Sequence, residues 1–273
     1  MKRTIFLLSI IIVAFCSCAL FGCAPDKQNE DKGLIYRLSS DQTYYVVDGY
    51  NGEETKVVIP ATKDGIPVKA VGKDAFCCNT TITEIEIPDS VTTIEESAFY
   101  RCYSLKSVKM ANSVHTIGHW AFHYCSSLES ITIPNNVTDI GVYTFSFCTG
   151  LNSISLGKSL EQIAEGLFYR CDSLNEIILP DTVETIGKYA FADCGDLVEI
   201  KLPKFVREIG ESAFRKCSSL KRAYIPSSVK YVRDWAFYET DLITIYCEAK
   251  NIPTTWNDYW NYFGYPIVLD YNC

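Results

Sequence analysis

Eight phenylalanines recur along this chain at a constant spacing of 23 residues. An alanine usually precedes each of them, and in most repeats a cysteine follows three residues later and a leucine six residues later. A constant period of about 20 to 50 residues indicates a stack of similar structural units, each burying its apolar side chains against its neighbours. The phenylalanines are Phe76, Phe99, Phe122, Phe145, Phe168, Phe191, Phe214 and Phe237.

The segment after each phenylalanine predicts a short strand. Leu128 is followed by Ile131 and Ile133, whose alternation turns both side chains inward. Pro134 then ends the strand, because proline has no N–H for the ladder. A Val-x-x-Ile pair returns the chain along the far side. A glycine such as Gly141 is predicted to allow a tight bend into one helical turn, in which alanine, phenylalanine and cysteine share the inward face.

This pattern resembles the leucine-rich-repeat superfamily, and more narrowly the BspA-type repeat of bacterial surface proteins, whose hallmark is Ala-Phe-x-x-Cys-x-x-Leu-x-x-Ile-x-Ile-Pro. Six of the eight units keep phenylalanine, cysteine and leucine in register. The resemblance covers residues 34–273. It implies a leucine-rich-repeat solenoid that is mainly β, with a parallel strand ladder on one face and a short strand plus a helical turn per repeat on the other. Residues 34–75 are predicted to be an N-terminal cap, 76–245 the repeats and 246–273 a C-terminal cap.

The N-terminus has the features of an export signal. Lys2 and Arg3 precede an apolar run that is too short to span a membrane comfortably, so residues 1–22 are predicted to be a signal peptide. The sequence Leu-Phe-Gly-Cys ending at Cys23 resembles the bacterial lipobox, which implies cleavage before Cys23 and its lipidation. The alternative is an ordinary secretory signal with an incidental cysteine. The polar residues 23–33 are predicted to be a flexible tether that holds the protein at the extracytoplasmic face of the cell envelope.

The charge of the chain excludes one class of partner. The formal net charge is −8, and removing residues 1–22 with their two basic residues leaves 23 basic against 33 acidic residues. Proteins that bind nucleic acid usually carry basic patches, and none is evident in this sequence. The predicted partners are therefore an extracellular protein or glycan, and the membrane through the lipid anchor.

The cysteines invite two other interpretations, a set of disulfides or a metal cluster. Equivalent residues in stacked repeats point in parallel, which is poor geometry for a disulfide. We therefore predict buried, reduced thiols that fill small apolar spaces. Cys247 and Cys273 are the pair for which the sequence leaves a disulfide open. The predicted thiol ladder is Cys102, Cys125, Cys148, Cys171, Cys194 and Cys217.

Three histidines are spaced by four residues, as on the metal-binding face of a helix. His115, His119 and His123 fall in a strand-to-turn passage of the repeat, however, and one repeat earlier the same positions hold Thr92, Glu96 and Tyr100. We interpret the histidines as an exposed patch and predict no metal site. No catalytic constellation and no phosphate-binding loop is evident, so neither an enzyme nor a cofactor is predicted.

The C-terminal cap is rich in aromatic residues. One interpretation is a lid over the last layer of the core, which a solenoid requires. The other is an exposed platform on which a sugar stacks. The favoured interpretation is the lid. The residues are Trp256, Tyr259, Trp260, Tyr262 and Phe263.

The positions eight and ten residues after each phenylalanine are predicted to point out of the strand ladder, and we call this surface the strand face. Its centre is rich in hydroxyls, and opposite charges such as Glu86 with Lys109 and Glu199 with Arg222 are predicted to pair across neighbouring strands. It is either a solvated surface or a recognition surface. The candidate binding residues are Glu84, Glu86, Ser107, Lys109, Ser130, Thr132, Ser153, Ser155, Glu176, Glu199, Lys201, Arg222 and Tyr224.

Together these features predict a lipid-anchored surface protein that binds a protein or glycan and mediates adhesion. The alternative is a structural envelope module with no ligand of its own. A third and weaker hypothesis is an enzyme or carbohydrate site at the C-terminal aromatic residues.

Overall fold

In the computed structural model, residues 32–241 and 243–271 are described. The predicted signal peptide, Cys23, Cys273 and all but the last two residues of the tether lie outside these ranges. Five strands precede the regular repeats, and two antiparallel pairs, β1 with β2 and β4 with β5, are formed among them. These strands are β1 (Leu34–Leu38), β2 (Tyr45–Tyr50), β3 (Lys56–Val58), β4 (Thr62–Lys63) and β5 (Ile66–Val71).

Each regular repeat except that of Phe168 then contributes one strand of three or four residues, and each except the last contributes one strand of two residues; β20 follows the repeats. In chain order these are β6 (Glu84–Ile87), β7 (Thr93–Ile94), β8 (Ser107–Met110), β9 (Thr116–Ile117), β10 (Ser130–Thr132), β11 (Asp139–Ile140), β12 (Ser153–Ser155), β13 (Gln162–Ile163), β14 (Thr185–Ile186), β15 (Glu199–Lys201), β16 (Glu208–Ile209), β17 (Arg222–Ile225), β18 (Tyr231–Val232), β19 (Thr244–Cys247) and β20 (Ile267–Val268). Among the described residues there is no helix, and hence none that could cross a membrane.

The strands form a solenoid with two long sides. The strand face consists of two parallel sheets, in the orders β12-β10-β8-β6-β3 and β15-β17-β19-β20. The opposite side, which we call the back, consists of the sheets β1-β2-β5-β7-β9-β11 and β13-β14-β16-β18. Neighbouring repeats pair in parallel and without offset, as Ile131 does with Ile154. The predicted parallel-ladder solenoid is therefore confirmed.

A third ladder of hydrogen bonds runs along the edge that carries the phenylalanines. The N–H of Phe122 donates to the carbonyl of Thr144 at 3.0 Å, and the N–H of Tyr124 donates to the carbonyl of Ser146 at 2.9 Å. Equivalent bonds join the other repeats from Phe76 to Phe214. The phenylalanine rings are buried and stack on one another with centroids 5.0–6.0 Å apart. The edge is therefore fixed by both backbone bonds and ring packing.

The predicted helical turn at this edge is wrong. In every repeat the second residue before and the second residue after the phenylalanine have φ between 54° and 60°, a left-handed conformation that a right-handed helix cannot contain. Fifteen of these sixteen residues are not glycine, so the conformation is imposed by the inter-repeat bonds rather than by local preference. They are Asp74, Cys78, Ser97, Arg101, Trp120, Tyr124, Tyr143, Phe147, Gly166, Arg170, Tyr189, Asp193, Ser212, Lys216, Trp235 and Glu239.

The solenoid has a seam between the repeats of Phe145 and Phe168. Here both long sides change sheet: β11 and β13 belong to different sheets, and residues 176–178 form no strand beside β12. Ile178 is 87% exposed. The phenylalanine edge continues across the seam, since Phe145 N–H still donates to the carbonyl of Leu167 at 3.0 Å. The two halves of the solenoid are therefore joined chiefly along this edge.

Side-chain volume accounts for the seam. Six repeats have alanine directly before the phenylalanine, whereas Thr144 and Leu167 occupy this buried position in the two repeats at the seam. The two widest ring spacings are found at the same place, 5.5 Å before Phe145 and 6.0 Å after it, against 5.0–5.3 Å elsewhere. Extra atoms in a packed core force the surrounding backbone apart. The bulky Leu167 thus coincides with the widest ring spacing and with the change of sheet on both long sides.

We predict that the seam exchanges its amide hydrogens faster than equivalent segments elsewhere. Residues 161–164 and 176–178 are expected to exchange at least about tenfold faster than 184–187 and 199–201, because exchange of backbone amides follows local opening. Native-state hydrogen exchange of the whole chain, read by NMR, measures this. Equal protection of the two pairs of segments would show that the sheets are continuous in solution.

Candidate interaction surfaces

The structure brings the predicted binding residues of the strand face into one register. Ser130 lies directly between Ser107 and Ser153, and Thr132 lies beside Ser155. All five of these side chains are exposed, and their hydroxyls make no side-chain hydrogen bond to another described residue. Of the thirteen candidates, Glu176 alone is outside a strand, because it belongs to the seam.

Ion pairs flank this hydroxyl-rich centre. The predicted pairs are confirmed, with Lys109 Nζ 2.6 Å from Glu86 Oε1 and Arg222 Nε 2.6 Å from Glu199 Oε2. The hydrogen bond from Lys109, followed by its charge, lowers the pKa of Glu86. Because these pairs are solvent-exposed, each adds little to stability. The charged ends of the strand face are therefore largely neutralised by their own neighbours, whereas the central hydroxyls are open to a ligand.

The two tryptophans of the C-terminal cap form a lid. Trp256 and Trp260 are only 6% and 7% exposed, and their rings meet edge-on with centroids 4.8 Å apart. Trp260 covers Phe237, the last ring of the phenylalanine stack, at 6.4 Å. The lid is confirmed, and a sugar platform built on these tryptophans is wrong. Tyr259, Tyr262 and Phe263 are each more than half exposed.

The thiol ladder is buried, as predicted. Each of its six thiols is free and donates to the carbonyl of the phenylalanine one repeat earlier, at 3.0–3.2 Å, as Cys125 Sγ does to Phe99. Burial raises the pKa of Cys102 to about 12 and also raises the pKa of the other five thiols. Such thiols are poor nucleophiles and poor metal ligands. Cys247 is also buried, and Cys273, with which the sequence left a disulfide open, lies outside the described residues.

The three histidines are not one exposed patch. His115 and His119 are exposed, and His119 Nδ1 accepts a hydrogen bond from the N–H of Val142 at 2.9 Å. His123 is half-buried: its ring stacks on Tyr100 with centroids 5.2 Å apart, and Nδ1 contacts Ser146 Oγ. Among the described residues no group of three histidine, cysteine or acidic side chains has metal-binding geometry.

The pKa of His123 predicts a pH-dependent stability. Burial, followed by the charge of Arg101, lowers this pKa from 6.5 to about 4. Between these values the unfolded chain binds a proton at His123 and the folded chain does not, so stability rises with pH. The contribution of neutral His123 to the free energy of unfolding is therefore complete above pH 6.5 and is lost as the pH falls towards 4. We expect His123→Gln to reduce the pH dependence of the urea midpoint between pH 4 and 6.5, and His115→Gln to leave this pH dependence unchanged. Identical pH profiles for wild type and His123→Gln would contradict this.

Sequence reasoning missed a surface along the phenylalanine edge. Two columns of side chains flank the buried rings: one is formed by the residue two before each phenylalanine, the other by the residue one after it. Both contain many aromatic residues, which could have been noticed as a bias at otherwise variable positions. From Phe122 onward the first column is Trp120, Tyr143, Gly166, Tyr189, Ser212 and Trp235, and the second is His123, Ser146, Tyr169, Ala192, Arg215 and Tyr238.

The fold and these surfaces define a leucine-rich-repeat solenoid, in which every repeat adds one step to parallel ladders. The chain belongs to the family described as BspA type Leucine rich repeat region, which matches residues 69–170 and 148–259 in six copies. The resemblance seen in the sequence is therefore confirmed. No curated protein matches the chain.

Two solved structures illustrate the similarity. A leucine-rich repeat protein from Bacteroides ovatus is 27% identical, with a TM-score of 0.67 over 87% of this chain and 70% of that one. The T. pallidum leucine rich repeat protein is 28% identical, with a TM-score of 0.56 over 77% of this chain and 88% of that one. Both are similar over most of the repeat array, so the shared property is the solenoid itself.

Proposed function

We propose that this protein is displayed on the bacterial cell surface and mediates adhesion by binding an extracellular protein or glycan through its strand face. The observation that carries the proposal is the row of exposed hydroxyls in the register Ser107–Ser130–Ser153, which has no partner among the described side chains. A repeated row of this kind offers many weak polar contacts over a long surface, which is how solenoids commonly bind. The predicted export signal and membership of the BspA-type family support a location outside the cell.

The lipid anchor is the second part of the proposal. Cys23 stands where the lipobox resemblance places the lipidated residue. We expect metabolic labelling with a fatty-acid analogue to mark the wild-type protein and not a Cys23→Ala variant, because the thiol is the site of attachment. Labelling of both proteins would rule out Cys23 as the anchor.

A structural role without a ligand is the alternative, and the ion pairs favour it. Three of them join neighbouring strands of the face, including Lys56 Nζ to Glu84 Oε2 at 3.2 Å. A surface whose charges satisfy one another needs no partner. The central hydroxyl row is the feature that this alternative leaves unexplained.

Adhesion of whole cells separates the two. The double variant Ser130→Arg with Ser153→Arg fills the centre of the strand face, and we expect at least about tenfold weaker adhesion to immobilised matrix proteins or glycans, as for bulky substitutions at the centre of an interface. The matched control is Thr138→Arg with Gln162→Arg, two exposed uncharged residues on the back. Adhesion unchanged by the first variant would reject the strand face. Equal adhesion by cells with and without the protein would favour the structural role.

A further inference from the structure

Two hollows interrupt the aromatic columns of the phenylalanine edge. Each column contains two small, buried residues: Gly166 and Ser212 in the first, and Ser146 and Ala192 in the second. Neighbouring rings contact Gly166 and Ser146, so the hollows lie at Ala192 and Ser212. Because side chains in neighbouring repeats stand side by side, a small residue that no neighbouring ring covers leaves a depression with walls on both sides. The hollows are therefore a consequence of two particular residues and not of the repeat itself.

The hollow over Ala192 has a volume of about 260 Å³. The ring of Tyr143 lies over Gly166, where a β-carbon would be only 2.1 Å from it, and its hydroxyl donates to Glu165 Oε1 at 3.0 Å. This wall is thus held in place by both packing and a hydrogen bond. The residues lining the hollow are Tyr143, Tyr169, Tyr189, Ala192, Asp193 and Arg215.

The hollow over Ser212 is larger, with a volume of about 420 Å³. It is contiguous with the first, because Tyr189 and Arg215 line both. The two volumes lie near or within the range of small-molecule sites, about 300 to 1,000 Å³. The residues lining the second hollow are Tyr189, Ser212, Arg215, Trp235, Tyr238 and Tyr262.

Arg215 is the polar centre of the pair. Its Nε is buried and has no hydrogen-bond partner in the described part of the chain, although its guanidinium lies over the ring of Tyr238 at 5.8 Å. A buried donor without an acceptor is unfavourable and is uncommon in folded proteins. An oxygen atom of a ligand lying between the two hollows would supply the missing acceptor.

We propose that the two hollows bind two adjacent sugar rings of a neutral glycan. The C–H faces of a sugar ring are apolar and suit the aromatic walls, and the ring hydroxyls suit the polar groups between them. Arg215 donates to a sugar oxygen and the Asp193 carboxylate accepts from a hydroxyl, so the opposite charges of this pair match an uncharged ligand. Among the described residues that line the hollows, Ala192 is the only aliphatic one, which distinguishes the site from a pocket for an apolar peptide side chain.

This site lies on a different edge from the strand face, so it goes beyond the proposed function and can fail or succeed independently. It also differs from the sugar platform that was the alternative interpretation of Trp256 and Trp260, since both of those residues are buried. The tryptophan that lines the proposed site is instead Trp235, which is exposed.

The test is titration of the purified protein with lactose, cellobiose, maltose and N,N′-diacetylchitobiose by calorimetry. We expect at least one of them to bind, and Ala192→Tyr and Ser212→Tyr each to weaken that binding at least about tenfold, or 1.4 kcal/mol. Both variants introduce tyrosine, which the same columns already contain at Tyr169 and Tyr189, so the fold should accept them. Circular dichroism and the melting temperature check this.

The matched control is Ser97→Tyr, the same substitution in the same column far from the hollows, and it should bind as wild type. If a filled variant does not fold, Arg215→Gln takes its place, and it must also weaken binding at least about tenfold. The proposal is overturned if none of the four sugars binds the wild-type protein at about 50 mM, far above the weakest affinities of interest. It is overturned as well if the hollow-filling variants and Arg215→Gln bind as wild type.

Discussion

Replacing Phe191 with alanine should lower the free energy of unfolding by about 3–5 kcal/mol, the usual range for removing a buried aromatic ring. Phe191 is completely buried, and its ring lies 5.3 Å from the rings of both Phe168 and Phe214. Its N–H also donates to the carbonyl of Ala213 at 2.8 Å. The substitution therefore leaves a cavity in the middle of a continuous stack, where neither neighbouring ring can close the gap without breaking the backbone ladder.

Urea unfolding followed by circular dichroism measures this effect. The matched control is Phe205→Ala, which removes the same side chain at a position that is 52% exposed and should change stability by less than about 0.5 kcal/mol. Phe168→Ala should fall at the lower end of the range, because the ring of Phe168 is already 6.0 Å from that of Phe145. If Phe191→Ala and Phe205→Ala were equally stable, the phenylalanine stack would not be the core of the solenoid.

The parts of the fold that the sequence predicts well are those repeated in every unit. The inward positions recur at fixed offsets, so the core residues, the two ladders and the ion pair of Glu86 with Lys109 follow from the register alone. The buried thiols follow in the same way. Repetition makes these predictions reliable because each position is specified several times in the chain.

The helical turn could not be rejected from the sequence. The spacing of Ala121, Phe122 and Cys125 suits one face of a helical turn, and a chain with left-handed residues at Trp120 and Tyr124 places the same three side chains inward. Local preference argues against left-handed aromatic residues. What decides the conformation is hydrogen bonding between repeats, which exists only once they are stacked.

The seam and the two hollows depend on exceptions to the repeat. Leu167 is one large residue in a position that is otherwise small, and Ala192 and Ser212 are small residues in columns that are otherwise mostly large. The effect of these exceptions can be predicted only when it is known which positions of the repeat lie on the same edge, and the structure shows this. The positions that depart from the consensus thus carry both the mechanical weak point and the candidate sugar site.

Gly141→Val should be the second most damaging of the substitutions considered, lowering stability by about 1–3 kcal/mol or more, as overpacking does. The glycines directly before the phenylalanine edge were expected to provide a bend, but Gly141 is not left-handed. It is required for close approach, because a β-carbon there would lie 2.4 Å from the backbone nitrogen of His119 and 2.7 Å from the carbonyl carbon of Gly118. Backbone atoms cannot move aside as a flexible side chain does, so the repeats must separate.

The expected separation has a location that can be measured. Gly141 N–H donates to the carbonyl of Ile117 at 2.8 Å on the back of the solenoid, and this bond should break in the variant. Hydrogen exchange should then reveal a second seam around β11, in addition to the lower urea midpoint. Glu95 and Arg233 hold side chains in the same column near the two ends and keep their bonds, whereas Ala164, in the same column at the seam, makes no equivalent backbone bond to a described residue.

Gly195→Ala is the control for this prediction. A β-carbon at Gly195 would be no closer than 3.9 Å to any neighbouring atom, so alanine should change stability by less than about 0.5 kcal/mol. Gly141→Ala, with the smallest possible side chain, should already be destabilising, because the contact involves the β-carbon itself. A Gly141→Ala variant as stable as Gly195→Ala would mean that adjacent repeats are not packed backbone against backbone, and the close stacking on which the ladders depend would have to be abandoned.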